Sequence, residues 1–165
     1  EHDENLIYRG TRFRNMKILI MGLPGSGKTW LGNKLSKHFS IPIWDADVIR
    51  GIYNDWEFSE QGRHNQTMRM RALAEIDAVS ISAFVCPLPA YRSFFMPDKI
   101  IWMDTIKDSK YEDTNKIFIP PKNSDVRITK WIEENQLYKC LEDISLGTMD
   151  TESFSNGLME RLAKL

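Results

Sequence analysis

The sequence has few cysteines and histidines and no long apolar segment. Its two cysteines, Cys86 and Cys140, are too few for a disulfide framework and too far apart for a CxxC metal site. The three histidines, His2, His38 and His64, lack the spacing of metal ligands. The sequence contains no secretory h-region and no run of 18 or more apolar residues. These absences argue against a disulfide-rich secreted domain, a zinc module and a membrane protein, and we expect a cytoplasmic protein.

An excess of charge of one sign is also lacking. The chain has 22 Lys and Arg against 23 Asp and Glu. A polynucleotide partner would favour a basic channel, so nucleic-acid binding is disfavoured and any anionic ligand needs a local site. The length of 165 residues, with 42% hydrophobic and 27% charged residues, is typical of a soluble globular domain. We expect one domain over residues 16–165, preceded by a polar N-terminal extension, residues 1–15, part of which resembles a protease-cleavage linker.

Short apolar runs alternate with longer amphipathic stretches from residue 17 onwards, a pattern typical of a parallel sheet covered by helices. The pattern predicts strands at 17–22, 41–45, 78–85, 100–104 and 125–129. It predicts helices at 28–39, 48–53, 60–75 and from 154 to the end of the chain. Residues 109–124 contain two adjacent prolines and no periodicity, which predicts a long loop. The expected fold is a three-layer α/β sandwich with five parallel strands.

A phosphate-binding loop is the strongest motif. Residues 22–29 read GLPGSGKT and satisfy GxxxxGK[ST] between a predicted strand and a predicted helix. Gly25 and Gly27 allow successive backbone N–H groups to point inward at the positive end of the helix, which suits phosphate oxygens. We expect Lys28 to reach the β and γ phosphates of ATP and Thr29 to coordinate Mg²⁺. The predicted ATP-binding residues are Gly22, Leu23, Pro24, Gly25, Ser26, Gly27, Lys28, Thr29 and Trp30.

Two carboxylates, Asp45 and Asp47, follow the second predicted strand. Ligands of open α/β sheets bind at the carboxyl ends of the strands, and alternation along a strand would place both side chains on one face. One carboxylate could then hold Mg²⁺ through water while the other accepts a proton from an attacking hydroxyl. The alternative is that one of them caps the helix predicted to begin at Val48.

At this point the sequence resembles the adenylylsulfate kinases, P-loop enzymes that phosphorylate the 3′-hydroxyl of adenosine 5′-phosphosulfate (APS). The resemblance covers about the first two thirds of the domain. It is carried by GLPGSGKT at 22–29, DADVIR at 45–50, FSEQGRHNQTMR at 58–69 and CPLPAYR at 86–92. Residues that match the family pattern outside the phosphate loop include Asp47, Arg50, Phe58, Ser59, Arg63 and Arg69.

The resemblance implies roles for several of these residues. Asp47 would be the base-like or metal-associated carboxylate, and Arg50 and Arg63 would grip the anionic group of the acceptor, since a planar guanidinium suits oxyanions. Phe58 would stack on its adenine. The implied catalytic residues are Lys28 and Asp47, the metal-associated residues are Thr29 and Asp47, and the acceptor site comprises Asp45, Asp47, Arg50, Phe58, Arg63, Gln66 and Arg92.

The sequence departs from the family where the acceptor would be chosen. Gly62, Asn65 and Gln66 replace an aspartate, a glutamate and an asparagine of the family pattern. The cationic helical lid after the fourth strand is also missing, because residues 106–124 are too short and too polar to form it. Phosphoryl transfer needs cations near the developing charge, and four lysines of this region are candidates to supply one. They are Lys107, Lys110, Lys116 and Lys122.

The sequence therefore predicts a kinase that uses ATP and Mg²⁺ to phosphorylate a small nucleotide-like acceptor, with APS as the first candidate. The second hypothesis is a kinase of another nucleotide or of a nucleoside. The third is a nucleotide-binding module with little transfer activity. The sequence leaves a homodimer open.

Overall fold

The computed structural model describes residues 15–147 and 150–165, so the predicted N-terminal extension lies outside the described residues except for Asn15. Within these residues strands alternate with helices, as the apolar runs predict. The elements in chain order are β1 (Met16–Met21), α1 (Lys28–Phe39), β2 (Ile43–Asp45), α2 (Ala46–Tyr53), α3 (Glu60–Ala74), β3 (Val79–Ala83), α4 (Pro89–Phe95), β4 (Lys99–Met103), α5 (Glu112–Ile117), β5 (Val126–Ile128), α6 (Glu134–Leu141) and α7 (Thr151–Leu162).

All strands run parallel in a single sheet of order β2-β3-β1-β4-β5. The central strand β1 pairs Ile18 with Ile81 of β3 on one side and Ile20 with Ile101 of β4 on the other. Every residue of β1 is buried, as expected for a strand covered on both faces. The predicted α/β class with five parallel strands and flanking helices is confirmed.

Side chains of β1 point alternately to the two faces of the sheet and so contribute to two separate hydrophobic cores. Ile18 and Ile20 face the core that α1, α6 and α7 cover, whereas Leu19 and Met21 face the core beneath α2, α3 and α4. These two apolar layers fix the sheet between its helices, because each layer removes a continuous apolar surface from water. The carboxyl ends of the strands consequently meet along one edge, where the functional site lies. In residues 15–147 and 150–165, no helix is both long and apolar enough to cross a membrane.

Several predicted boundaries are wrong. Helix α2 begins at Ala46, two residues earlier than predicted, because Asp45 caps it. Helix α7 begins at Thr151 rather than at 154, since the Asp150 carboxylate accepts a hydrogen bond from the Ser153 N–H. The predicted loop at 109–124 contains the short helix α5, and sequence periodicity also missed α4 and α6. These three helices have only six to eight residues, too few for a helical pattern to repeat.

Candidate functional site

A single cleft gathers the segments that follow all five strands. It has a volume of about 1340 Å³, more than one small ligand needs, so a nucleotide and an acceptor can occupy it together. Its walls include the phosphate loop after β1, Asp45 at the end of β2, residues 84–87 after β3, residues 106 and 108–111 after β4 and Trp131 after β5. This convergence is the general arrangement of ligand sites in parallel α/β sheets.

Gly27 fixes the end of the phosphate loop where helix α1 begins. Its φ of 102° lies in the left-handed region, and a Cβ placed there would come within 2.7 Å of the Trp131 ring. Gly25, Lys28 and Thr29 also line the cleft, as do the predicted Pro24 and Trp30. The glycine therefore lets the loop turn into the helix so that backbone N–H groups face the cleft.

Gly22, Leu23 and Ser26, also predicted to bind ATP, do not line the cleft; they support the loop from behind. The Ser26 N–H donates to the Leu23 carbonyl over 3.1 Å. The Thr105 hydroxyl, at the end of β4, donates to the Ser26 carbonyl over 2.7 Å. The loop is thus held both by its own backbone and by the neighbouring strand.

Lys28 occupies the cleft wall with its ammonium folded onto the loop. Its Nζ donates to the Leu23 carbonyl over 2.9 Å. Desolvation by burial lowers the pKa of Lys28 to about 8, and the carboxylates of Asp47 and Asp45 oppose this shift. An anionic ligand beside this amine would favour its charged form, so the site is suited to hold phosphate.

Asp45 links the phosphate loop to α2. One carboxylate oxygen accepts a hydrogen bond from the Thr29 hydroxyl, and the other accepts from the Asp47 and Val48 N–H groups over 2.8 and 3.3 Å. The capping alternative from the sequence is therefore the one that Asp45 takes. The structure pairs the Thr29 hydroxyl with Asp45, whereas the metal site predicted from the sequence combines Thr29 with Asp47.

Asp47 lies in the first turn of α2 and not on the strand, so strand alternation does not position it. Its side chain is exposed and lines the cleft, and its charge acts on both Lys28 and Arg50. The cleft therefore contains a carboxylate that can accept a proton.

Phe58 forms an aromatic platform in the part of the cleft where the sequence predicts the acceptor; this part, which Arg63, Gln66 and Tyr91 also line, is called the acceptor half below. Its ring is 45% exposed, and the guanidinium of Arg50 packs on it at 4.1 Å from the ring centre. Arg50 is 4% exposed and donates from Nη1 to the carbonyls of Asp55 and Glu57, both at 3.0 Å. Burial lowers the pKa of Arg50, and Asp55 opposes the shift. Arg50 thus serves as a buried cation beneath an aromatic face.

Arg63 also lines the cleft, and it ties α3 to α5. Its Nε donates to the Phe58 carbonyl over 2.9 Å, and its Nη2 contacts Asp113 Oδ2 at 3.3 Å and Thr114 Oγ1 at 3.2 Å. Gln66 lines the same half and donates to the Ala46 carbonyl over 3.0 Å. The structure thus brings both predicted residues to the acceptor half, each with partners of its own.

Arg92 is not brought to the cleft. Its guanidinium is buried and donates to the carbonyls of Cys86, Pro87 and Ile119, which pins the segment after β3. Cys86 lines the cleft, but burial raises the pKa of its thiol to about 12, so it is protonated and a poor nucleophile at neutral pH. Arg92 therefore has a structural place in this fold, distinct from its predicted contact with the acceptor.

The segment after β4 takes the place of the cationic helical lid that the sequence lacks. Of the four candidate lysines, Lys110 lines the cleft, whereas Lys107, Lys116 and Lys122 do not. The Asn115 side chain organises the turn through bonds to the N–H, hydroxyl and carbonyl of Ser109. This short turn places Lys110 and Tyr111 at the mouth of the cleft.

Sequence reasoning missed Trp131, which lies just after β5 and is 56% exposed. Its ring packs on the phosphate loop at Gly27 and lines the cleft. An exposed tryptophan immediately after a predicted strand was the available signal, since ligands bind at the carboxyl ends of parallel strands. Tyr91 and Trp56, on the acceptor half, were missed as well.

Comparisons with known proteins find solved structures of kinases with a similar fold. No protein-family model and no curated protein sequence matches the chain. The APS kinase CysC of Mycobacterium tuberculosis, solved with AMPPNP and APS, is similar with a TM-score of 0.63 and 18% identity over 79% of this chain and 96% of that one. A gluconokinase from Sinorhizobium meliloti 1021 is similar with a TM-score of 0.55 and 13% identity, and the match covers 93% of this chain and 95% of that one. A shikimate kinase from Aquifex aeolicus is similar with a TM-score of 0.55 and 18% identity, and the match covers 75% of this chain and 92% of that one. At these identities the likeness shows a shared α/β fold and nothing more.

Proposed function

We propose that this protein is a kinase that transfers the γ-phosphoryl group of MgATP to a hydroxyl of a small, nucleotide-like acceptor. The observation that carries the proposal is one cleft that holds a complete phosphate loop, a free carboxylate at Asp47 and a separate aromatic half around Phe58. A binding module would need the phosphate loop alone. The neighbours of known activity, which phosphorylate different alcohols, support a kinase without choosing its acceptor.

Different residues of the cleft have different roles in the proposed phosphoryl transfer. The N–H groups of the phosphate loop and Lys28 hold the phosphates, and Asp47 accepts the proton of the attacking hydroxyl. Mg²⁺ fits the oxygen donors of Thr29 and Asp45, because this ion is bound by one or two protein oxygens together with substrate phosphates. When bound, the ion supplies positive charge to the phosphates. Lys110 is the candidate for the cation that the lid provides in the family.

The adenylylsulfate kinase resemblance makes the 3′-hydroxyl of APS the first acceptor to test, and other nucleotides and nucleosides follow. The direct experiment incubates the protein with labelled ATP and Mg²⁺ and a panel of these acceptors together with gluconate and shikimate. We expect label to appear in a nucleotide or nucleoside. Binding of MgATP with no transfer to any of them would favour the binding-module alternative.

We expect MgATP to raise the melting temperature of the protein, because a ligand that binds only the native state stabilises it by about 2.7 kcal/mol at a hundredfold excess over its Kd. Lys28→Ala should reduce the shift, since the amine provides charged hydrogen bonds to phosphate. Thermal unfolding at millimolar MgATP measures both effects. An unchanged melting temperature of the unsubstituted protein would contradict a working phosphate loop.

Trp131 should provide a stacking surface for the ATP base, because its exposed ring lies against the phosphate loop. We expect Trp131→Ala to raise the Kd of MgATP by roughly tenfold, in line with a base–aromatic stacking energy of about 1–3 kcal/mol. Trp131→Phe should retain most of the affinity. Equilibrium titration with MgATP gives the Kd values, and equal losses in both variants would show that the ring acts through packing of the loop instead.

A further inference from the structure

The hydrogen bonds of Arg63 decide what its guanidinium can offer a ligand. A bidentate clasp of an oxyanion uses Nη2 together with either Nε or Nη1. The two hydrogens of Nη2 are directed to Asp113 and Thr114, and the Nε hydrogen is donated to the Phe58 carbonyl. Arg63 therefore has no complete bidentate edge for an acceptor.

Asp113 also cancels the charge of Arg63. Its carboxylate lies 3.3 Å from Nη2, lines the cleft and is 68% exposed, so it faces the same space as an acceptor. An anionic group brought to Arg63 would meet this carboxylate at close range and would have to displace it. Like charges at such a distance disfavour binding.

The other arginines of this half do not restore the missing charge. Arg50 lines the cleft, but it is 4% exposed and packs under Phe58, with the Asp55 carboxylate at 3.9 Å from its Nη1. Arg69 pairs with the same Asp55 at 2.6 Å. Arg92 does not line the cleft, and it donates to the backbone carbonyls of Cys86 and Pro87. Each of these arginines thus has partners within the protein.

Aromatic surface, by contrast, is abundant in the acceptor half. Trp56 and Tyr111 are 53% and 48% exposed, and both line the cleft together with Phe58. Tyr91 lines the same region, with its hydroxyl donating to the Glu60 carbonyl over 3.4 Å. Faces of this kind recognise a flat ring by stacking and require no charge on the ligand.

We propose that Asp113 is a specificity-determining residue, which makes the acceptor half select an uncharged aromatic molecule such as a nucleoside over its phosphorylated or sulfated counterpart. The inference rests on the proposed function, and it narrows the proposed acceptors from nucleotides and nucleosides to nucleosides. Asp113 selects by occupying Arg63, and the aromatic walls supply the attraction. A nucleoside retains the hydroxyl that a phosphoryl acceptor must offer.

Binding measured without turnover tests this selection. The protein is saturated with MgAMPPNP to fill the ATP half and is titrated with adenosine and with AMP by calorimetry. We expect the unsubstituted protein to bind adenosine more tightly than AMP. Asp113→Asn should tighten AMP binding by about tenfold, because the competing negative charge beside Arg63 is removed, and should change adenosine binding by less than twofold.

Glu112→Gln is the matched control, since it makes the same charge change on the same helix at a residue that does not line the cleft. It should leave the AMP affinity within twofold. Asp113→Ala should act in the same direction as Asp113→Asn, which guards against an effect of the amide itself. Melting temperatures of all variants verify folding.

Two results would overturn the inference. One is an unsubstituted protein that binds AMP more tightly than adenosine, or an AMP affinity that responds to neither Asp113 substitution. The other is no binding of either compound. Both leave the proposed kinase activity to be judged on its own, because transfer from labelled ATP to the wider acceptor panel is measured separately.

Discussion

Asp47→Asn should lower kcat for phosphoryl transfer by about 10² or more, the scale of removing a positioned general base. The substitution keeps the size of the side chain and removes the charge that accepts the proton. MgATP affinity should fall only modestly, because the phosphate loop and Lys28 are unchanged. Steady-state kinetics with the acceptor found in the labelling experiment, together with MgATP titration, separate the two effects.

Asp77→Asn is the control for this experiment, because Asp77 is exposed between α3 and β3 and does not line the cleft. It should leave kcat unchanged. Transfer that is indifferent to Asp47→Asn would assign the proton-accepting role to Asp45 instead. Clean MgATP binding without transfer to any acceptor would contradict the kinase proposal itself.

Gly27→Ala should abolish MgATP binding and destabilise the fold. A Cβ at this position is strained by the φ of 102° and meets the Trp131 ring at 2.7 Å, so the loop and the helix start must shift. Backbone strain of this kind costs about 1–3 kcal/mol. Denaturant unfolding with and without MgATP measures the lost stability and the lost ligand effect.

The chain offers a matched glycine for comparison. Gly157 lies inside α7, and a Cβ there meets nothing within 4 Å. Gly157→Ala should therefore raise the free energy of unfolding by about 0.5–1 kcal/mol, because alanine has the higher helix propensity. It should leave the MgATP-induced shift intact. A Gly27→Ala protein that kept this shift would show that the loop tolerates a side chain at this turn.

The sheet and the phosphate loop were predictable because their signals are local. Buried parallel strands are continuous apolar runs, and GLPGSGKT specifies its own backbone through glycines and the following helix. The bounds of α1 at Lys28 and Phe39 agree with the prediction for the same reason. Local chemistry also contained the Asp45 cap, although the sequence could not show which of two carboxylates would provide it.

The roles of the arginines were not predictable, because a guanidinium has several donors and the sequence does not say where they go. Arg92 lies in a segment that resembles the adenylylsulfate kinases, yet its guanidinium donates to backbone carbonyls. One of these belongs to Ile119, which is 27 residues away. The Arg63 contact with Asp113 spans 50 residues and joins a helix to a segment without periodicity. Such partners follow from tertiary packing, and a family resemblance at low identity does not transmit them.

The two outer strands of the sheet, β2 and β5, have three residues each. An outer strand leaves one row of backbone N–H and C=O groups unpaired, and a long row of this kind recruits strands from other chains into aggregates. In the described part of the sheet both rows are short, which limits such recruitment. High protein concentrations, as calorimetry requires, should therefore favour association through helices or the cleft mouth over growth of the sheet from one copy to the next.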